Sequence, residues 1–294
     1  MRRFLDSSAR RGMQLLSFFS LVLMVTIGIA LLVKSLPILK AHNLSDLLLG
    51  SSFKPLRGEF GFLPFLVGTL WVTGIAVGIA FPLSLLSALY LSEYAPGSLR
   101  NAFRPLIDLL AGIPSVIYGV WGIVVFVPLV RDHLAPAMGR FSSGYSVLTA
   151  GIVLAVMILP VVIHVLLEVF SAVPVESREA ALSLGATRWQ AVKHVVLRRS
   201  ITGIIAACVL GLTRAFGETM AVLMVAGNVP VIPRSLLDAG YPLPALIANN
   251  YGEMMSIPLY DSALMLAALL LFGVILFFSI LSRWVLVRIE RRTL

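Results

Sequence analysis

The stretch ESREAALSLGATRWQAVKHVVLRR (Glu176–Arg199) is the longest charged, water-compatible segment between two long apolar runs. It divides into two short helices around one turn. Pro174 suits the first helical position, where its missing N–H is an orphan in any case, and Glu176 and Glu179 load the early turns with negative charge. Ala180, Ala181, Leu182 and Leu184 propagate the helix, and Gly185 is placed as its left-handed stop. Thr187 and Gln190 have the spacing of a capping box, which starts a second helix aimed at the next apolar run. On its residues alone the segment is a helix–glycine–helix elbow: either an ordinary amphipathic connector or a part that another protein grips.

Outward from the elbow the chain is apolar. Of 294 residues, 59% are hydrophobic and 13% charged, with a mean hydropathy of +0.98. Soluble domains carry about 25% charged residues, so the composition is that of a polytopic membrane protein. The net charge of +9 sits in short segments between apolar runs. That is the pattern of loops retained in the cytoplasm and not of a nucleic-acid surface. Cys208 is the only cysteine, which excludes an intrachain disulfide, and His42, His133, His164 and His194 are scattered without metal-ligand spacing.

Six spans are expected: Leu15–Leu36, Pro64–Leu91, Leu106–Val130, Tyr145–Phe170, Ile201–Gly227 and Ser262–Val287. The first has a core longer than that of a signal peptide and reads as a retained span. The second contains Gly74-x3-Gly78, which would let another helix approach closely, and Pro82, which would bend it. Ser92–Arg104 reads as a short loop, and Pro114 as a break within span three. Six spans put both termini and the elbow on one side. That side carries fifteen Lys and Arg in residues 1–14, 92–105, 171–200 and 283–294, against six in 38–63, 131–145 and 228–261, which makes it cytoplasmic. The organisation expected is residues 1–63 as an N-terminal segment, first span and outer loop, 64–287 as a five-helix core carrying the elbow at 174–199, and 288–294 as a basic tail.

Span five holds Arg214 and Glu218 inside an apolar run. Separated by four, both are expected to project from one face of span five. Burying a lone arginine at mid-membrane costs about 2.5–3.5 kcal/mol on insertion scales, so a partner or a polar cavity is expected. One reading is a structural ion pair that orients the helix. The other is a gate, in which an anion competes with Glu218 for the forked donors of Arg214. Ser115, Tyr118 and Thr219 suit a pathway lining but also suit hydrogen bonds between helices. Asp108 reads as a charge at a helix N-terminus, and Glu93 and Glu168 as side chains reaching the interface. Trp71, Trp121 and Trp284 fit an interfacial belt. No nucleotide-binding loop, paired acids or nucleophile–base arrangement is present, so an enzyme is not expected.

Glu179-Ala180-Ala181, three residues, Gly185, nine residues and Val195-Val196-Leu197 resemble the EAA loop of ABC importer permeases, whose pattern is E-A-A-x3-G-x9-I-x-L-P. Arg198 stands where that family has proline; without it the second elbow helix is expected to run on into the membrane, with Arg198 and Arg199 snorkelling to the headgroups. Within that family, RAFGETMAVLMVAGN (Arg214–Asn228), IPSVIYGVWG (Ile113–Gly122), EFGFLPFLVGTL (Glu59–Leu70) and IANNYGE (Ile247–Glu253) are similar to the phosphate importer permeases. The resemblance implies an all-α permease with a type I importer (MetI-like) core. It implies a heterodimer with the paralogous permease PstA, a dimer of the ATPase PstB holding ATP and magnesium, an extracytoplasmic phosphate-binding protein PstS, and no cofactor in this chain. It implies that Glu179, Ala180, Ala181 and Gly185 dock the ATPase, with Trp189 packing there, and that Arg214 and Glu218 serve phosphate passage. Membrane lipids are the other expected partner, and nucleic acid is not one. A permease for another oxyanion such as sulfate or molybdate, a stand-alone anion channel and a secondary transporter are the alternatives.

Overall fold

The computed structural model describes residues 2–253 and 256–293, and the side chains of 10–253 and 256–288. Helix α1 (Arg2–Ala41) leads to a short α2 (Leu44–Leu49) and a two-stranded hairpin, β1 (Phe53–Lys54) and β2 (Glu59–Phe60), the only strands among the described residues beside a single bridge between Gly227 and Gly240. Then follow α3 (Leu63–Tyr94), π-helical from Tyr90, α4 (Gly97–Ala111), α5 (Ser115–Ala137) and α6 (Val147–Ser171). The elbow is α7 (Val175–Ser183) and α8 (Arg188–Arg199); after it come α9 (Ile201–Gly217), α10 (Met220–Val225), α11 (Leu243–Asn250) and α12 (Tyr260–Thr293). Among the described residues, five helices are long and apolar enough to cross a membrane. A sixth is reached if the bent pair α8 and α9 is one span: α9 alone has 17 residues, short of the about 20 that span a bilayer, and α10 follows it after a break at Glu218 and Thr219.

Helices α3 and α6 form the central pair. Their close approach comes from Gly151 of α6, which sits over Val72 and Ile75. Gly74 and Gly78, expected to make such a crossing, have nothing within 4 Å of a Cβ. The pair lies on the open side of α3, and among the described residues no helix packs on it. Three large apolar clusters, with a small fourth around Val130, Ala135 and Leu237, fill the bundle among the described residues. One around Val72, Val153, Leu154 and Val222 fills the middle. A second, with Phe62, Phe65, Leu243 and Leu264, closes the hairpin end. A third, with Leu89, Leu166, Phe170 and Val196, closes the elbow end. Pro37 interrupts the hydrogen-bond ladder of α1. The Ser262 hydroxyl beside it donates to the Lys34 carbonyl at 2.9 Å and accepts from Ile38 N–H at 3.2 Å, satisfying the backbone and fixing α1 against α12.

Two expected boundaries move. Residues 97–111 form an amphipathic helix where a loop was expected: Leu99, Phe103, Leu106, Ile107 and Leu110 recur at helical spacing opposite Arg100, Arg104 and Asp108. The apolar run from Leu106 therefore belongs to α4, and span three begins at Ser115, with Pro114 as its N-cap. Asp108 accordingly lies near the end of α4 and not at a helix start, and His164 Nδ1 of α6 lies 2.9 Å from its Oδ1. The second elbow helix does not run on through Arg199. The chain bends by 68° at Ser200, which has φ −93° and ψ 1°, and no proline is needed. Ser200 is buried beneath this corner, so packing of Val196 and Ala207 on α6 supplies the turn that the family's proline would impose.

A capped elbow and a broken span as the candidate site

Both elbow helices end on side-chain or backbone caps that the sequence encodes. Gly185 has φ +85°, and its N–H donates to the Leu182 carbonyl at 2.9 Å while Ala186 N–H reaches the Ala181 carbonyl at 3.2 Å. This pair of bonds satisfies the last carbonyls of α7 and requires a left-handed residue between them. The Thr187 Oγ1 accepts from Gln190 N–H at 3.3 Å and the Gln190 Oε1 accepts from Thr187 N–H at 2.7 Å, the reciprocal box expected at the start of α8. Pro174 caps α7 one residue before its expected place.

The elbow presents apolar side chains to its surroundings. Leu184 is 90% exposed and Trp189 56%, and both flank a turn fixed by its own hydrogen bonds. Between the two helices runs an open groove of about 540 Å³ lined by Glu176, Ala180, Ala181, Leu184, His194 and Arg198. The small side chains of Ala180 and Ala181 keep this groove open. Glu179 is exposed on α7, and its carbonyl accepts from the Ser183 hydroxyl. The elbow thus offers an exposed concavity with apolar side chains at its rim.

Span five is not one helix. It stops at Gly217, Glu218 is extended at φ −75° and ψ 125°, and α10 restarts at Met220. Arg214 and Glu218 therefore do not share a helical face. Among the described residues no carboxylate lies within 4.0 Å of Arg214. The Glu218 carboxylate instead accepts from the backbone N–H of Ala221 at 3.2 Å, holding the first turn of α10, and the Thr219 hydroxyl turns back to the Gly217 carbonyl at 3.3 Å. The apolar run hides this break because its flanks are uniformly hydrophobic; Gly217, a weak helix residue just before a capping side chain, is the signal that marks it. Unwound backbone at membrane depth is tolerated where it is buried in protein or lines a cavity.

Helix α5 packs on α10, just beyond this break. A Cβ on Gly119 would meet Met224 Sδ at 2.5 Å and Ala221 Cα at 3.2 Å, so α5 and α10 touch backbone to backbone. Ser115 and Thr219 lie just before that crossing on their two helices and are both half-buried. Tyr118, buried on the same helix, donates to the Leu110 carbonyl at 2.7 Å. At the far end of α10, Asn228 Nδ2 donates to the Leu223 carbonyl at 2.7 Å, and the chain doubles back through Gly240 to Tyr241. The Tyr241 hydroxyl accepts from Asn249 and Asn250 at 3.0 and 2.7 Å, and burial pushes its phenol up against those two donors. Sequence reasoning named Arg214, Glu218, Thr219 and Ser115; it missed Gly119, whose spacing from Gly122 carries the crossing.

The same arrangement of helices occurs in known proteins. The model of the family described as binding-protein-dependent transport system inner membrane component matches residues 80–294. The phosphate transport system permease protein PstC of Haemophilus influenzae is 36% identical over 98% of this chain and 95% of its own length. The protein of the same name from Xylella fastidiosa (strain Temecula1) is 37% identical over 94% and 91%. Among solved structures, an inward-facing conformation of the MetNI methionine ABC transporter superposes with a TM-score of 0.60 at 19% identity, covering 76% of this chain and 94% of that one. The transporter elbow, the broken fifth span and these likenesses lead to one conclusion: the chain belongs to the family of binding-protein-dependent transport system inner membrane components.

Proposed function

We propose that the chain is one of two permease subunits of an ATP-driven importer of inorganic phosphate, forming half of the translocation pathway. The observation that carries this reading is Arg214: a guanidinium at the end of α9, beside unwound backbone, with no carboxylate within 4.0 Å among the described residues. Its planar fork matches two oxygens of a tetrahedral oxyanion at once, and on this chain the residue is exposed, open to such an anion. Thr219 and Ser115 offer hydroxyls along the same path, and Glu218 holds the unwound turn in shape. The choice of phosphate over sulfate or molybdate is supported by the relatives, which are named as phosphate permeases and align over nearly the whole chain.

In this reading residues 64–287 are the translocating core and 1–63 an accessory span and outer loop. Glu179, Ala180, Ala181, Gly185 and Trp189 engage a separate ATPase, a PstB dimer that binds ATP and magnesium; a PstA-like permease completes the pathway and a PstS-like protein delivers the anion from outside. The membrane is the bacterial cytoplasmic one, and the fifteen basic residues flanking the elbow side support cytoplasmic termini. The test is reconstitution of the four proteins in proteoliposomes. Accumulation of phosphate that requires ATP and the binding protein, and that excess sulfate does not suppress, supports the proposal. Phosphate flux through this chain alone without ATP overturns it in favour of an anion channel.

A further inference from the structure

Arg178 sits in the elbow but turns inward. Its side chain is 18% exposed, and that of its partner Glu93, at the π-helical end of α3, is 8% exposed. The contact is bidentate: Nε donates to Oε2 at 3.1 Å and Nη2 to Oε1 at 2.9 Å. The remaining donors reach the frayed end of α6, with Nη1 on the Val173 carbonyl at 2.6 Å and Nη2 also on the Phe170 carbonyl at 2.8 Å. Glu93 therefore does not reach for the membrane interface as its sequence position suggests. It is further fixed by the Ser92 hydroxyl at 2.9 Å, and Arg100 holds the Ser92 carbonyl at 3.0 Å. The next residue, Tyr94, lies beneath Arg188 of the second elbow helix, whose Cζ is 5.6 Å from the ring centroid. Both arms of the elbow thus grip consecutive residues of one π-helical turn.

We propose that Arg178 and Glu93 are positioning residues for energy coupling: they clamp the elbow to the ends of α3 and α6, so that movement of the elbow is delivered to this central pair as one body. The inference rests on the elbow being the ATPase contact. A single polar contact would let the elbow pivot; four charge-assisted bonds from one planar guanidinium to two different helices fix both its position and its angle. A π-helical turn is a common device at such points, because it widens the helix where a side chain must be re-aimed. Helix α3 packs along α6 and also against α9, which carries Arg214, so the clamp lies on a contiguous path of packed helices from the elbow to the broken span.

The experiment compares the complete complex carrying Arg178→Gln, Arg178→Lys, Glu93→Gln or the Arg178→Gln/Glu93→Gln double with wild type. It measures the amount of assembled complex, ATP hydrolysis with and without phosphate-loaded binding protein, and inorganic phosphate accumulated per ATP. The expected result is an assembled Arg178→Gln complex in which phosphate per ATP falls by about tenfold, within the range of site-to-site couplings, with stimulation by the loaded binding protein largely lost. Lysine, which keeps the charge but not the fork, should fall between, and the double should be no worse than the single. Variants that only lower the amount of complex, while phosphate per ATP stays at the wild-type value, overturn the proposal. If Arg178→Gln fails to assemble, Glu93→Gln decides, and loss of assembly in both makes the pair a folding element and overturns it too. Wild-type complex without ATP-dependent phosphate uptake would instead strike the underlying functional reading.

Discussion

At Gly185 the backbone holds φ at +85°, and a Cβ added there would meet nothing within 4 Å. Substitution therefore changes backbone preference and almost nothing else. An L-residue in the left-handed region costs about 1–2 kcal/mol, with β-branched residues at the upper end and asparagine well tolerated. The strain can be released only by unwinding the turn, which gives up the Ala186 and Gly185 bonds to Ala181 and Leu182. If the ATPase recognises the closed turn, 1.4 kcal/mol corresponds to about tenfold in affinity. Gly185→Val is then expected to weaken docking by about 10–30-fold and Gly185→Ala by about fivefold, with Gly185→Asn within about twofold of wild type. Titration of purified ATPase against solubilised permease reads this series directly. Equal affinities for the valine and asparagine variants, both present at wild-type abundance, would refute the claim that the left-handed turn itself is recognised.

Substitutions at three further positions separate the parts of the site. Thr187→Ala removes the Oγ1 that accepts from Gln190 N–H and should destabilise the elbow by about 1 kcal/mol, visible as faster proteolysis at the turn in intact membranes. Glu218→Gln keeps an acceptor for Ala221 N–H and should assemble normally. Glu218→Ala loses that cap, worth about 0.5–2 kcal/mol, and should lower the temperature at which the solubilised complex loses activity. Gly119→Val drives new carbons into Met224 and Ala221; overpacking of this kind costs about 1–3 kcal/mol, so membrane yield should fall while an exposed control, Gly74→Val, leaves yield unchanged.

The elbow was legible because its information is local. A left-handed glycine, a Thr–Gln box and a pair of alanines each act within a few residues, and each appears where the sequence places it. The spans were legible for a different reason: about 20 apolar residues have few alternatives in a membrane protein. What escaped was set by contacts between distant segments. The bend at Ser200 depends on how Val196 and Ala207 pack on α6, and a proline-free sequence carries no mark of it. The break at Glu218 lies beside the close contact of Gly119 with α10, and an apolar run reads the same whether helical or interrupted. The α4 helix escaped because hydropathy alone merged Leu106–Leu110 with the span that follows, although the spacing of Phe103, Leu106 and Leu110 carried the amphipathic period. Arg178 and Glu93 are 85 residues apart, and nothing local links them.

The most direct test of the account is phosphate uptake by the reconstituted complex carrying Arg214→Gln or Arg214→Lys. Arg214 has no carboxylate partner within 4.0 Å among the described residues, so neutralising it leaves no orphaned acid behind, and assembly and ATPase docking are expected to persist. Removing the fork should cut phosphate accumulation by about 10²-fold, the loss of one charge-assisted bidentate contact of about 3 kcal/mol. Lysine should recover only a small part, because an ammonium cannot span two oxygens. ATP hydrolysis without phosphate accumulation in an assembled Arg214→Gln complex is the predicted result; wild-type accumulation by that variant would contradict the account.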